Sequence, residues 1–168
     1  MDLLFASIAA IGLAALAFYA YETSDVAMRS YDLRAELSSA AGDAANAIVQ
    51  SPGVPSNWTR FGKIDSAQIS GLGLAIEQGV LDAEKTAFFF NAVNASAGNS
   101  NHSNASFLLG LRRRGFDYSL SVFDAAGATL YSTNASTTPP SNNTVSTERL
   151  AVLGGSAVRV KLSVWTVD

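Results

Sequence analysis

The chain has 168 residues, of which 48% are hydrophobic and only 15% are charged, whereas an ordinary globular domain is about 25% charged. Its 11 Lys and Arg against 14 Asp and Glu give a formal net charge of −3, which argues against a nucleic-acid partner. The lack of cysteine excludes disulfides and thiolate chemistry, and the single histidine leaves little for a metal site, so we expect neither an enzyme nor a bound metal or cofactor.

The first predicted element is an apolar helix, Leu3–Tyr21, which contains nineteen residues without a charge or a proline. This length meets the ~18 residues that a membrane-spanning helix needs. A cleaved signal peptide would carry basic residues before a shorter apolar stretch, but Asp2 precedes this one and the first basic residue is Arg29. We therefore expect a permanent structural element that lies in the cell membrane.

The same helix is predicted to continue to Gln50 as an amphipathic half. Apolar residues recur there at helical spacing, as Val26, Leu33, Leu37, Ala41, Ala44 and Ile48. Ser51-Pro52-Gly53 then ends the helix. The predicted domains are thus residues 1–50, with a membrane or filament-core part at 1–21 and an amphipathic part at 22–50, and an exported globular domain at 51–168.

Small residues distinguish the apolar half from a simple anchor. Seven of its residues are alanine, and Ala6, Ala10 and Ala14 recur at four-residue steps. Small side chains at that spacing let helices approach closely, so we predict close packing between copies through Leu3, Ala6, Ala10, Ala14 and Ala17. A single-pass anchor remains an alternative, although it would usually carry basic residues on one flank, and this segment carries none.

The rest of the chain predicts an α+β fold with an antiparallel sheet of about four strands. A short helix is expected at Asp82–Val93, with Asp82 as its N-cap, a helical turn within Ala105–Leu111, and an edge strand or turn within Ala67–Glu77. Two hairpins are expected around Asp124–Gly127 and Gly154-Gly155. The expected strands are Tyr118–Phe123, Ala128–Ser132, Thr147–Leu153 and Ala157–Val167, laid against the amphipathic helix.

Six Asn-x-Ser/Thr triplets occur, five of them in two polar tracts; they begin at Asn57, Asn94, Asn101, Asn104, Asn134 and Asn142. They are candidate N-glycosylation sites of an exported protein, and the Pro139-Pro140 tract also suits O-linked sugars. The alternative is a pair of flexible polar loops. His102 lies within one tract, where we expect it to be solvated rather than a metal ligand.

The basic cluster Arg112, Arg113 and Arg114 has two interpretations besides DNA binding, against which the net charge of the chain already argues. One is a solvated turn before the first long strand. The other is a subunit contact with an acidic patch of a neighbour, such as Asp25, Asp32 or Glu36. Phe88-Phe89-Phe90 is expected to pack in the core or at a subunit interface, because exposing three such rings is unfavourable.

An apolar N-terminal stretch that runs into an amphipathic helix and then into a β-rich domain resembles a mature type IV pilin. The absence of cysteine, and Phe5 where bacterial pilins have glutamate, are more similar to archaeal pilins, and "SPGVPSNW" (51–58) and "RVKLSVW" (159–165) also resemble archaeal surface proteins of this class. No basic leader precedes Met1, which departs from the family pattern and leaves open whether a leader was cleaved.

The resemblance implies a structural subunit of an extracellular type IV pilus-like filament for surface attachment. The partners would be identical copies, packed through the apolar helices in an open helical array. Asp2 would lie at the positive end of the helix and meet a neighbour's α-amino group. The alternatives are a non-polymerising membrane-anchored surface glycoprotein, a minor pilin, or an adhesin whose sheet binds a ligand.

Overall fold

The computed structural model describes residues 2–95, 100–133 and 143–167, and it describes their side chains except at residues 2–11 and 25–27. These residues form an α+β structure with a long N-terminal helix and a mixed sheet. The chain divides into two compact units, Met1–Glu36 and Leu37–Asp168. The boundary lies inside the long helix, so the predicted amphipathic half is divided between the two units.

Helix α1 spans Asp2–Gln50, which confirms the predicted uninterrupted helix. Its composition explains the length, because alanine and leucine are strong helix formers and the first proline is Pro52. Within the described part of the chain, no helix combines the length and the apolar character needed to cross a membrane.

The last turns of α1 belong to the core of the globular unit. Their buried side chains recur at three- and four-residue steps, as helical geometry requires of one packed face; they are Leu37, Ala40, Ala41, Ala44, Ala45, Ile48 and Val49. Four of the six residues predicted for the apolar stripe are therefore buried, whereas Leu33 is half-buried and the side chain of Val26 lies outside the described residues. The alanines keep the helix surface thin, so that the backbone lies close to its neighbours.

Backbone groups of the segment 74–79 bond to the C-terminal end of α1. The Leu74 N–H donates to the Ile48 carbonyl (2.9 Å), and the Gly79 N–H donates to the Val49 carbonyl (2.9 Å). The Gly79 carbonyl in turn accepts from the N–H of Val152 (2.8 Å). Two carbonyls that a helix end would leave without intrahelical partners thus accept hydrogen bonds, and Gly79 connects one of them, that of Val49, to the sheet.

The loop that follows α1 is organised around Trp58, which is fully buried in the 3₁₀ turn Trp58–Phe61. Its indole Nε1–H donates to the Gly73 carbonyl (3.0 Å), and its ring meets Phe88 edge-on at 5.7 Å between centroids. Buried Lys85 also ties this region together, because its Nζ donates to the carbonyls of Pro52 (3.0 Å) and Ala75 (3.3 Å).

The sheet has six described strands in the order β1-β2-β5-β6-β3-β4. They are β1 (Ala75–Glu77), β2 (Val80–Leu81), β3 (Phe116–Phe123), β4 (Thr129–Ser132), β5 (Thr144–Leu153) and β6 (Ser156–Thr166). The expectation of about four strands, all antiparallel, is wrong in two respects. The strand β2 was missed because two residues are too few to display a period, and it pairs with β5 in parallel. Strand β1 lies at the edge of the sheet, within the range 67–77 where an edge strand or turn was expected.

The four predicted strands and both predicted hairpins are present. Gly154 and Gly155 form the two-residue turn between β5 and β6, with φ values of 59° and 80°, and two positive φ values are the requirement of a type I′ turn. Alternate residues of β6 are buried as expected, namely Val158, Val160, Leu162 and Val164. The C-terminal end of α1, the two shorter helices, strand β3 and the segment 58–74 also contribute buried side chains to this unit.

Helix α2 spans Ala83–Asn94 and begins as predicted, because the Asp82 carboxylate accepts from the N–H groups of Glu84 (2.9 Å) and Lys85 (3.1 Å). Two of its three consecutive phenylalanines, Phe89 and Phe90, are buried. Helix α3 spans Ser100–Leu108 and so begins five residues before the predicted helical turn. A 3₁₀ turn at 112–114 joins α3 to β3.

Candidate functional site

The most prominent surface of the unit Met1–Glu36 is apolar. Seven large side chains on α1 are between 64% and 77% exposed, and we call them the apolar helix surface: Leu13, Leu16, Phe18, Tyr19, Tyr21, Met28 and Tyr31. At 3.6 residues per turn they are distributed around the whole circumference of the helix. Large exposed apolar patches mark surfaces that a partner or a membrane covers.

The predicted packing residues lie on the same helix. Ala14 and Ala17 are exposed, on one side of α1 within a single turn. Leu3, Ala6 and Ala10 are in α1, but their side chains, like that of Asp2, lie outside the described residues. What the structure describes of this set is therefore two small, open positions among large apolar neighbours.

The polar part of the same unit carries an acidic stripe, which we define as Glu22, Asp32 and Glu36, all exposed. Their spacing of ten and four residues places them within about 80° of one another around the helix. Arg29 lies on the same side and Arg34 does not. The side chain of Asp25, the other predicted acidic contact, lies outside the described residues.

The predicted basic cluster forms a 3₁₀ turn, Arg112–Arg114, which we call the arginine turn. All three side chains are exposed, and none forms a salt bridge within residues 2–95, 100–133 and 143–167. The Arg113 guanidinium lies 4.5 Å from the centre of the Phe107 ring, a cation–π distance. Both interpretations of this cluster, a solvated turn and a subunit contact, are compatible with its exposure.

Buried neighbours hold the arginine turn in place. Leu111 before it and Phe116 after it are buried, and the Phe116 N–H donates to the Leu111 carbonyl (3.1 Å). Gly110 and Gly115 flank the turn with φ values of 75° and 74°, a conformation that other residues rarely adopt. The three guanidinium groups are consequently presented from a fixed backbone.

The asparagine amides of the sequons differ in whether they are exposed for glycan attachment or already hydrogen-bonded within the protein. Asn57 is exposed and makes no side-chain capping bond to the 3₁₀ turn that follows it. Asn94 is half-buried at the end of α2, and its Nδ2 donates to the Ser132 carbonyl (2.8 Å). Asn134 and Asn142 lie outside the described residues.

Asn101 and Asn104 lie one turn apart on α3 and hold the backbone of Ile64 from both sides. The Asn101 Oδ1 accepts from the Ile64 N–H (3.0 Å), and the Asn104 Nδ2 donates to the Ile64 carbonyl (2.8 Å). The Asn101 Nδ2 also donates to the Ala92 carbonyl (3.1 Å). Since an N-glycan is attached to Nδ2, these two sequons are already engaged in positioning the fully buried Ile64.

We expect glycopeptide mass spectrometry of the native protein to find a glycan on Asn57 and none on Asn101 or Asn104. The physical reason is that the Asn57 amide faces solvent, whereas the other two amides bond to the backbone of the folded domain. An Asn57→Gln variant should lose one glycan mass, and Asn101→Gln should keep the wild-type glycan mass. A glycan found on Asn101 would contradict this prediction.

His102 is buried, so the expectation that it is solvated is wrong. Its exposed fraction is 8%, its Nε2 lies 2.7 Å from the Asp117 Oδ1, and its ring stacks on Tyr118 with centroids 4.6 Å apart. The polar composition around it concealed a helix, whose buried face consists of His102, Ala105 and Ser106 and is continued by Leu109 just after the helix. That i, i+3, i+4, i+7 spacing was the signal that could have identified the burial.

Asp117 links this histidine to an edge of the sheet. The same Oδ1 also accepts from the Tyr118 N–H (2.8 Å), a backbone donor of β3 beyond the stretch that pairs with β4. Burial first, and then the charge of Asp117, raise the pKa of the Tyr118 hydroxyl well above its usual value. The arrangement therefore keeps Tyr118 neutral and anchors α3 to β3.

These groups do not assemble a nucleophile. The Ser106 hydroxyl, one helical turn from His102, donates to the Phe116 carbonyl (3.3 Å). In the portion of the chain that the structure describes, no three His, Asp or Glu side chains are placed to hold a metal ion. The His102–Asp117 pair thus has a structural explanation in the contact between α3 and β3.

Three exposed surfaces are therefore candidates for contacts with other molecules: the apolar helix surface, the acidic stripe and the arginine turn. Comparisons of the chain with protein-family models, with characterised proteins and with solved structures give no significant match.

Proposed function

We propose that this chain is the structural subunit of an extracellular type IV pilus-like filament that attaches cells to surfaces. Copies polymerise through the apolar part of α1, and the cell membrane holds that part before assembly. The exposed apolar helix surface is the observation that carries the proposal. The pilin-like layout of the sequence, an apolar stretch that runs into an amphipathic helix and then into a β-rich domain, supports it as well.

The energetics favour an environment that surrounds α1 on every side. Covering one large apolar side chain contributes about 1.5–3 kcal/mol, so the seven residues of the apolar helix surface would contribute on the order of 10 kcal/mol. Association opposes this by about 4–15 kcal/mol. A bundle of parallel copies contacts all sides of each helix at once, whereas a single partner would leave much of this surface in water.

The small residues on α1 favour a final state in which α1 is surrounded by neighbouring helices rather than by lipid. Ala14 and Ala17 leave open positions into which a neighbouring backbone can fit, and close backbone approach increases dispersion contacts between helices. Lipid chains adapt to any side chain, so a membrane gives no advantage to alanine over leucine at these positions. The globular unit Leu37–Asp168 would form the outer part of the filament.

We expect the double variant Ala14→Leu/Ala17→Leu to raise the critical concentration for assembly by about tenfold or more, because overpacking a close contact costs ~1–3 kcal/mol. Sedimentation and electron microscopy of purified protein, diluted from detergent, would measure filament formation. The comparison variant is Ala15→Leu, about 200° around the helix from Ala17 and on the side of the large residues Phe18 and Tyr19. Large side chains already keep a neighbouring helix at a distance there, so we expect a much smaller rise in the critical concentration.

Two outcomes would contradict the proposal. A wild-type chain that stays monomeric on dilution from detergent, and that is never recovered in filaments sheared from cells, would favour a non-polymerising surface glycoprotein or adhesin. Normal assembly of the Ala14→Leu/Ala17→Leu variant would refute the packing argument. Circular dichroism of both variants should show wild-type helix content, since the changed side chains are exposed in the single chain.

A further inference from the structure

We propose that the arginine turn of one copy binds the acidic stripe on helix α1 of a second copy. This inference rests on the proposed function and adds a specific contact between neighbouring subunits. It connects two surfaces that the described fold leaves exposed, Arg112–Arg114 in the globular unit and Glu22, Asp32 and Glu36 in the helical unit.

The arginine turn has the properties of a preformed cationic site. Three adjacent guanidinium groups repel one another, and the buried residues on either side, together with two left-handed glycines, prevent the turn from opening to separate them. Arginine forms bidentate bonds with carboxylates in a fixed geometry. A partner that carries several carboxylates would therefore lower the repulsion and supply acceptors for the guanidinium groups.

The distribution of charge identifies the chain itself as a source of that partner. Residues 1–36 contain five acidic and two basic side chains, so this unit carries a charge of −3, whereas residues 37–168 contain nine of each. The whole net charge of the chain thus lies in the helical unit. Arg29 lies beside the acidic stripe, which still presents more carboxylates than cations on that side of the helix.

The two surfaces belong to different parts of the chain, and this has a consequence for symmetry. A contact between unlike surfaces of identical copies is heterologous, and each copy that binds leaves a fresh acidic stripe and a fresh arginine turn for the next. Such a contact propagates into a ring or an open helical array. The charge pattern therefore favours the kind of polymer that the apolar helix surface also requires.

The first test compares assembly of the wild type with that of Arg112→Glu/Arg113→Glu/Arg114→Glu. We expect the triple variant to raise the critical concentration by about tenfold at low salt, because each lost pair becomes a repulsion. The wild type should itself assemble less readily as ionic strength rises from about 0.01 M to about 1 M, since the Debye length falls from about 30 Å to about 3 Å. The matched control reverses three other exposed or half-exposed cations, as Arg60→Glu/Arg159→Glu/Lys161→Glu, and should assemble normally.

The decisive test mixes two variants that each repel themselves. The second variant, Glu22→Arg/Asp32→Arg/Glu36→Arg, makes the stripe basic, and alone it should assemble as poorly as the reversed turn. In an equimolar mixture, each reversed surface meets a complementary one on the other variant. We expect the mixture to recover filaments in which the two variants occur in equal amounts.

The outcomes separate this inference from the proposed function. A wild type that forms no filaments refutes the proposed function. A wild type that polymerises, together with a reversed turn that polymerises equally well at low salt, refutes the contact alone, as does a mixture that recovers nothing. Normal assembly of the reversed turn with loss of binding to heparin, used as a soluble polyanion, would also refute it, by assigning the turn to a foreign anion.

Discussion

Replacing Gly73 with alanine is expected to lower the free energy of unfolding of the globular unit by about 4 kcal/mol or more. A Cβ atom at this position would overlap the Ser51 carbonyl oxygen and lie 2.8 Å from the Gly53 nitrogen. Both neighbours are backbone atoms at the end of α1, so no side-chain rotation can make room. The Gly73 carbonyl also accepts a hydrogen bond from the indole N–H of Trp58, so a shift of this segment would disturb that bond as well.

Urea unfolding followed by tryptophan fluorescence would measure the effect, because Trp58 lies beside the altered backbone. Gly71→Ala is the matched control, since its Cβ would lie 3.6 Å from the nearest atom, a methyl carbon of Val54, which is ordinary contact. We expect this control to change stability by less than ~1 kcal/mol. Equal stability of the two variants would mean that the close approach of Gly73 to Ser51 does not occur in solution.

Replacing His102 with alanine is expected to destabilise the globular unit by about 3 kcal/mol, because the buried Asp117 carboxylate loses a hydrogen-bond partner. The change removes the ring that lies 2.7 Å from the Asp117 carboxylate and the face that stacks on Tyr118. It also leaves a cavity between α3 and β3, which adds to the loss.

A double-mutant cycle separates the pair from the packing. Asp117→Asn keeps an oxygen that can accept from His102 and from the Tyr118 N–H, so we expect it to cost less than His102→Ala. Adding His102→Ala to Asp117→Asn should then cost less than it does in the wild type, because no buried carboxylate is left without a partner. If His102→Ala alone costs less than ~1 kcal/mol, the pair contributes little to stability and the expectation fails.

Long, repetitive patterns in the sequence were sufficient to predict the main elements. Helix α1 was predictable because apolar residues keep a helical spacing over many turns without a proline, and β6 was predictable because Val158, Val160, Leu162 and Val164 alternate with polar residues. Turn chemistry predicted the Gly154-Gly155 hairpin, since only glycine readily adopts two positive φ values in succession.

The missed features depend on tertiary contacts, which local composition specifies poorly. The short strand β2 exists because Gly79 bonds to both α1 and β5, and two residues carry no period of their own. The burial of His102 was missed because serine and asparagine surround it, and these residues favour loops in the absence of tertiary partners. The side-chain amides of Asn101 and Asn104 instead bond to the backbone of Ile64, which is 37 and 40 residues away from them along the chain.

The bonds through Gly79 bear on how such a subunit would transmit force. Its N–H holds the Val49 carbonyl near the end of α1, and its carbonyl holds the N–H of Val152 in β5. A pull applied along α1 would therefore reach the longest hairpin of the sheet through hydrogen bonds as well as through the covalent chain. Resistance to stretching is set by the rate of unfolding rather than by equilibrium stability. In a fibre under tension, this linkage would let the globular units share the mechanical load instead of leaving it to the helices alone.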